Sequence, residues 1–429
     1  MEKTRTFKIE TLGCKVNQYE SQAIREQLLS AGWREAGGGE PAEVCIVNSC
    51  TVTATGDQKS RKFIRRFLRE NPDARVIVAG CYVDRDAETV RAIDRRIETA
   101  GNAEKGLLIT HIIGKTPKKK KLTSRHTIFS LNVSAHTRRA RALLKIQDGC
   151  ESFCSYCIVP HVRGPIVSRE PQEVILEAER LVKNGYAEIV LTGIHLGHYG
   201  KDSPDLPSLP QLLIKLKEVE GLGRIRLSSL EANEIDNELL DVVLDPVFCP
   251  HFHVPLQSGS DSVLERMNRR YTTSEFREKI ETLRERFDLP AITSDIIVGF
   301  PDETDEEFEE TCEFADETAF ARTHLFPFSP RPGTPAASMK TLPPEVVKVR
   351  MAELDRITSN TGAAYRNALV GRKERVLFER PGDEPGTIRG RMDRYMEVLV
   401  EADESILGQV KTVEIESAGE WFLSGKIIC

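Results

Sequence analysis

Cys150, Cys154 and Cys157 stand in a C-x3-C-x2-C pattern just beyond the apolar run Leu143-Leu144-Lys145-Ile146, and thiolates at that spacing can surround one iron-sulfur cluster. Cluster irons are ordinarily held by four cysteine thiolates. A loop offering three leaves one iron open to a small molecule, much as catalytic metal sites keep an open position. The expectation is chemistry rather than scaffolding. Phe153 and Tyr156 interleave the triplet, where they could screen a cluster from water or simply pack the loop.

A second trio is dispersed. Cys14, Cys50 and Cys81 each close a short β-rich run: Thr11-Leu12-Gly13-Cys14, Ile46-Val47-Asn48-Ser49-Cys50 and Val78-Ala79-Gly80-Cys81. The runs at 6–13, 43–48 and 75–80 alternate with helically spaced apolar residues at 18–31 and 57–70, among them Phe63, Ile64, Phe67 and Leu68. Alternating strand and helix implies a parallel sheet, whose carboxyl strand ends form the ligand crevice, so three thiolates distant in sequence converge there. Packing cysteines have no reason to recur at one topological point, which favours a shared metal site. Cys45, inside the second run, reads as core packing, and Cys249, Cys312 and Cys429 have no partner spacing.

The elements that position these residues fall into three regions. A chain of 429 residues exceeds one ordinary core. Strand-like runs at 143–148, 188–195, 224–231, 251–257, 291–300 and 323–329 alternate with helical stretches at 171–184, 209–219, 237–244, 274–287 and 305–317. That repetition predicts a barrel or partial barrel, with the triplet in its first βα loop, on the active face. After a helical stretch at 343–369, residues 373–428 show short alternating strands punctuated by glycine, the pattern of a small antiparallel barrel. The fold class is α/β: an N-terminal parallel α/β domain (4–115), a basic linker (116–135), a central partial (βα)6 barrel (136–366) and a C-terminal β-barrel (369–429). His251 and His253 alternate on one strand and are expected to line a polar barrel interior rather than bind metal.

Charge is uneven. The net value is −6, yet residues 115–141 hold nine Lys or Arg and no acid, while 302–317 hold ten acids and no base. The basic segment suits phosphate or is a solvated linker. The acids Asp302, Glu303, Asp305 and Glu306 crowd a helix start, where carboxylates favour the dipole. Arg389, Arg391 and Arg394 flank Met392 and Tyr395, a combination suited to an RNA backbone with base stacking, or to a solvated strand face. No apolar run approaches eighteen residues, and Met1-Glu2-Lys3-Thr4-Arg5 leads into an alternating strand rather than a signal segment. The expectation is a cytoplasmic enzyme with reduced cysteines and no membrane association.

The triplet, followed by Val159-Pro160-His161-Val162-Arg163-Gly164 and Ser168-Arg169, resembles the radical S-adenosylmethionine enzymes, specifically their methylthiotransferase branch, and the resemblance spans the chain. That family joins a three-cysteine domain, a radical barrel and a TRAM domain, and Cys14, Cys50 and Cys81 fit its auxiliary-cluster pattern. Within the branch, Leu12-Gly13-Cys14-Lys15-Val16-Asn17-Gln18-Tyr19-Glu20-Ser21 is similar to the MtaB subgroup; other subgroups usually differ after the first cysteine. The resemblance implies a tRNA-modifying enzyme that adds a methylthio group to C2 of N6-threonylcarbamoyladenosine at position 37. It also implies two 4Fe-4S clusters, one at each trio, with S-adenosylmethionine on the open iron of the Cys150, Cys154 and Cys157 cluster. Thr192 and Gly193 fall where the family binds the methionine amino group, Ser229 and Glu231 where ribose hydroxyls lie, Gln257 at the next strand end, and Val298 and Gly299 where backbone meets adenine; strand-end capping is the plain alternative for each. An electron donor such as flavodoxin or ferredoxin and a monomeric state are expected.

Two other readings stay open: a redox-sensing RNA-binding iron-sulfur protein, and a methylthiotransferase acting on isopentenyladenosine or a ribosomal protein. If the basic segment and the three arginines hold tRNA through phosphates, affinity falls steeply as salt rises, which a binding titration at increasing salt checks; flat binding would reject that mode.

Overall fold

The computed structural model describes residues 4–114, 127–135 and 139–428. The N-terminal unit is a parallel sheet in the order β2-β1-β3-β4-β5, built from β1 (Thr6–Thr11), β2 (Arg34–Glu35), β3 (Val44–Ser49), β4 (Arg75–Gly80) and β5 (Ile97–Ala100). β3 is buried along its whole length, which is why Val44-Cys45-Ile46-Val47 reads as an unbroken apolar run. Cys45 packs among Ile64, Phe67 and Val76, as expected. The helices α1 (Lys15–Ser30), α2 (Ala54–Glu70) and α3 (Cys81–Arg91) follow β1, β3 and β4. β2 and β5 have no counterpart in the sequence pattern, because Arg34-Glu35 and Ile97-Glu98-Thr99-Ala100 are too short and polar to carry a period. This strand order reverses between β1 and β3, where open α/β sheets place their ligands.

β6 (Arg141–Lys145) begins the central barrel, and the short antiparallel pair β7 (Gln147–Asp148) and β8 (Val167–Ser168) brackets the cysteine triplet. The barrel continues through β9 (Glu188–Thr192), β10 (Arg224–Leu227), β11 (His251–His253), β12 (Ala291–Val298) and β13 (Arg322–Pro327). Two three-stranded parallel sheets, β10-β9-β6 and β11-β12-β13, are joined by a bridge between Ile225 and Phe248. No pairing joins β6 to β13, so the barrel is open on one side, and α1 packs on β6 there. The helices Pro171–Lys183, Leu209–Lys217, Asn237–Val243, Thr273–Arg286 and Asp305–Thr318 alternate with the strands as expected. Thr304 caps the last of these in a capping box with Glu307, which explains much of the acidic crowding. Glu303 behaves differently: it is buried and paired with Arg350 at 2.6 Å.

The expected linker departs from the sequence reading. Lys118–Lys121 lie outside the described residues, but the segment from Thr127 to Ala135 is packed, with Phe129, Leu131 and Val133 buried. Tyr19 Oη donates to the Leu131 carbonyl at 2.9 Å, and Glu26 accepts from the Ser134 and Ala135 amides at 2.8 Å each. Cys429 also lies outside the described residues.

After the helix Pro344–Asn367 comes a closed five-stranded barrel of β14 (Lys373–Pro381), β15 (Thr387–Met392), β16 (Glu397–Glu401), β17 (Val410–Ala418) and β18 (Leu423–Ile428). Four of its pairings are antiparallel, as expected of a small antiparallel barrel, and β16 closes against β18 in parallel. Among the described residues no helix is long and apolar enough to cross a membrane.

This small barrel docks through buried charge. Glu188 accepts from Arg224 Nε at 2.6 Å and Arg226 Nε at 2.8 Å. The same guanidinium groups donate to Asp393 Oδ1 at 2.5 Å and to the Asp393 and Met392 carbonyls at 2.7 and 3.1 Å. Burial alone would raise the Glu188 carboxyl, but Arg226 and Arg224 pull it down to about 2, from an ordinary 4.5. A depressed carboxylate contributes stability that is complete above its unfolded pKa and is lost as pH falls toward the folded value, here from about 4.5 down to about 2. Glu188→Gln should lower the urea midpoint of cluster-free protein at about pH 5 and flatten its decline toward about pH 3. An unchanged acid slope would contradict the assignment.

Candidate iron-sulfur and substrate site

β1, β3 and β4 deliver Cys14, Cys50 and Cys81 to one crevice: Cys14 caps α1, Cys50 directly follows β3 and Cys81 opens α3. Gly13 has φ +92°, and a Cβ there would stand 2.8 Å from Cys50 Cβ and 2.9 Å from its Sγ, so only glycine lets the Cys14 turn close against Cys50. Cys81 packs on Ile158 and Val162, in and beside the helix Val159–Arg163 that follows Cys157. Asn102 Nδ2 donates to the Val162 carbonyl at 2.8 Å and lies 3.5 Å from Cys81 Sγ. The two cysteine trios therefore share a wall.

The triplet loop is shaped by its own backbone. The Cys150 amide donates to the Gly164 carbonyl at 3.1 Å and the Cys157 amide to the Cys154 carbonyl at 2.9 Å. His195 Nδ1 lies 3.5 Å from Cys150 Sγ and 3.2 Å from Ser152 Oγ, while Arg269 Nη1 donates to Cys154 Sγ at 3.4 Å. Burial raises the Cys150 thiol, but hydrogen bonds from His195 and Ser152 bring it below its ordinary value. Burial pushes Cys157 up to about 12, raises Cys154, and takes Cys50 up to about 11. Thiols held neutral by burial ionise when a metal takes up the thiolate charge. Among the described residues no three cysteine sulfurs lie within 4.8 Å of one another, whereas a single tetrahedral ion with bonds near 2.3 Å would draw them to about 3.8 Å. Thiolate donors at both trios are the ligand type that iron-sulfur clusters take.

The other sequence-predicted residues sort by place. Thr192 and Gly193 adjoin the triplet: a Cβ on Gly193 would lie 2.8 Å from Gln147 Oε1, which accepts the His195 amide. Glu231 pairs with Arg269 and through it reaches Cys154. Ser229 is exposed and lines the central cavity. Gln257, with φ +71°, bridges to Ile296 on β12. Val298 is buried, and Gly299 donates its amide to Glu303 at 3.1 Å. A Cβ on Gly299 would meet Val347 at 2.6 Å, so helix packing as well as close approach requires the glycine. Tyr156 packs in a cluster with Phe300, whereas Phe153 is exposed.

The three arginines of the small barrel form no free basic strip. Arg389 holds Glu397 at 2.5 Å and also Asp383, Arg391 donates to the Tyr395 carbonyl at 2.9 Å, and Arg394 pairs with Glu374 at 2.6 Å and donates to Leu289 of the central barrel at 2.8 Å. Phosphates would have to compete with these partners.

Sequence reasoning missed His195, His198, Glu234 and Arg269. His195 stacks on His198 at 3.5 Å, and its Nε2 lies 2.7 Å from Glu234. Burial lowers the His195 imidazole, but Cys150 and Glu234 outweigh it and raise the group to about 9. Its position two residues beyond Gly193, at a barrel strand end, was the available signal; Arg269 has none. The interior cavity, about 470 Å³, is walled by Arg226, His251, His253, Thr293 and His324, with Lys15 from α1 and Tyr395 from the small barrel. His251 and His253 thus line the polar interior, as expected, and share Thr293 Oγ1 at 3.2 and 2.9 Å.

Fold and paired sulfur sites together define an iron-sulfur enzyme of the radical S-adenosylmethionine class. Family models match residues 144–315 as Radical SAM superfamily, 6–100 as uncharacterized protein family UPF0004 and 367–428 as TRAM domain. The chain is 39% identical to threonylcarbamoyladenosine tRNA methylthiotransferase MtaB of Bacillus subtilis, over 99% of this chain and 96% of that protein. It is 35% identical to the MtaB of Thermotoga maritima over 99% and 97%, and 34% identical to the tRNA-2-methylthio-N(6)-dimethylallyladenosine synthase of Moorella thermoacetica over 99% and 98%. Among solved structures, the radical S-adenosylmethionine methyltransferase TsrM of Kitasatospora setae shares the fold, with TM-score 0.58 at 18% identity, covering 78% of this chain and 75% of that one. The chain belongs to the radical S-adenosylmethionine methylthiotransferase family.

Cys154→Ala should abolish both reductive cleavage of S-adenosylmethionine and methylthio transfer, whereas Cys14→Ala should keep cleavage and lose transfer. Release of 5′-deoxyadenosine and iron content of anaerobically reconstituted protein check this; loss of cleavage in Cys14→Ala would refute the division of labour.

Proposed function

We propose that the protein transfers a methylthio group to C2 of N6-threonylcarbamoyladenosine at position 37 of tRNA. The observation that carries this reading is the common wall between the two cysteine trios, where Cys81 packs on the helix that leaves Cys157. Two relatives of nearly full-length match carry the name of that activity. Two 4Fe-4S clusters and S-adenosylmethionine, when bound, supply the radical and sulfur-transfer chemistry.

The chain's own residues bind and orient. Thr192 and Gly193 are assigned to the methionine amino group of S-adenosylmethionine, Ser229 and Glu231 to its ribose hydroxyls, Gln257 to the next strand end beside it, and Val298 and Gly299 to its adenine. His195 and Arg269 fix two of the three ligand sulfurs by hydrogen bonds, which also tune a cluster's potential. Tyr395 stacks on His251 at 4.4 Å, and both rings line the cavity. A flavodoxin or ferredoxin is the class of electron donor proposed.

Nucleoside analysis of tRNA from cells lacking the gene tests the assignment. The methylthio mark on threonylcarbamoyladenosine should vanish and return on expression of this chain. An unchanged mark, with loss of the mark on dimethylallyladenosine instead, would overturn it.

A further inference from the structure

The cavity has a charge imbalance that the cluster chemistry does not use. Its lining includes Lys15, Arg139, Arg141, Arg226 and Arg380 against one carboxylate, Glu379. Three of the cations are already compensated: Arg226 by Glu188 at 2.8 Å, Arg141 by Glu379 at 2.5 Å, and Arg380 by Glu397 at 3.3 Å. Lys15 and Arg139 are not. Among the described residues neither has a carboxylate within ion-pair distance, and Arg139 meets only the neutral Gln18 Oε1, at 2.9 Å. Lys15 is half-buried. A desolvated cation in a net positive enclosure calls for an anion.

We propose that Lys15, supported by Arg139 and Arg141, binds the carboxylate of the substrate's N6 side chain and so selects threonylcarbamoyladenosine over dimethylallyladenosine. This rests on the functional reading above and specifies how that site recognises its base. The two modifications named by the relatives differ in the property this cavity is built to sense: a threonyl group ends in a carboxylate at neutral pH, whereas a dimethylallyl group is uncharged and apolar. An apolar side chain here would leave the half-buried Lys15 without a partner, and a site that demands a polar contact rejects a ligand lacking it more strongly than an apolar pocket rejects a misfit. Lys15 also immediately follows Cys14, which ties the carboxylate contact to the auxiliary trio. A cavity of about 470 Å³ is within the range of small-ligand sites.

The test uses the reconstituted holoenzyme and anticodon stem-loop RNAs carrying threonylcarbamoyladenosine, its methyl ester or dimethylallyladenosine. The wild-type protein should prefer the acid over the ester by roughly tenfold to a hundredfold in kcat/KM, mostly through KM, in line with loss of a charged hydrogen bond. Lys15→Gln should erase the preference and Lys15→Arg should retain most of it, a rescue that a purely structural role would not give. Equal use of acid and ester by the wild-type protein would overturn the proposal while leaving the functional reading intact, and this arm needs no variant to fold. Retention of the preference by Lys15→Gln would also overturn it. Turnover of the dimethylallyl RNA alone would overturn the functional reading, and the proposal with it.

Discussion

A buried knot of charge sets the geometry on which both sulfur sites depend. Glu20 on α1 meets Lys105 at 2.6 Å, Lys145 at 2.9 Å and Arg163 at 2.8 Å, while Asp148 meets Lys145 at 2.5 Å and Arg163 at 3.0 Å. All five side chains are almost wholly buried. Burial favours a neutral Glu20, but Arg163, Lys105 and Lys145 drive its pKa well below the ordinary value. Such a knot adds little net stability compared with apolar packing, yet it is directional and tolerates few arrangements. It joins α1, which Cys14 immediately precedes, to the barrel strand before Cys150 and to the helix after Cys157. Three cations face two carboxylates, and Arg163 lies within electrostatic reach of Cys81 and Cys14. An electropositive surround suits sites that collect thiolates.

The C-terminal barrel is structurally part of the cavity. Its turn between β15 and β16 carries Tyr395 at φ +68° and brings the ring against His251, with Arg391 and Arg226 at 4.5 and 5.1 Å from the ring centroid. The arginines that read as an RNA strip are consumed in this docking or in pairing along the barrel's own strands. A run of like charge in sequence states only what a segment carries; whether it meets solvent or a carboxylate depends on what the fold brings opposite it. Arg394 meets Glu374 from another strand and Leu289 from another region.

Prediction and structure agree where a repeating pattern carries the information. The alternation of apolar runs with helical stretches in the central region maps onto strands and helices to within a few residues, because each buried strand and amphipathic helix must repeat its apolar residues at its own period. The differences fall at the two-residue β2 and the parallel closure of β16 on β18, where no period exists, and at the packed segment from Thr127 to Ala135, whose alternating Phe129, Leu131 and Val133 follow a lysine run that reads as linker. The charged knot was likewise invisible, since Glu20, Lys105, Asp148 and Arg163 are spread over more than a hundred residues and each is an ordinary surface residue type.

By itself the sequence determined the six cysteines, their division into a local triplet and a strand-end trio, the three-part α/β architecture and the family. These are properties of spacing, of residue type and of short-range period, which survive in one dimension. The tertiary structure alone decided that the trios share a wall, that His195 and Arg269 reach the sulfurs of Cys150 and Cys154, that Arg389, Arg391 and Arg394 each take a partner, and that Lys15 enters the cavity without a carboxylate partner among the described residues. Each of these depends on which groups lie within a few ångströms after the chain is folded, and electrostatic and hydrogen-bond energies are functions of that distance, not of separation along the chain.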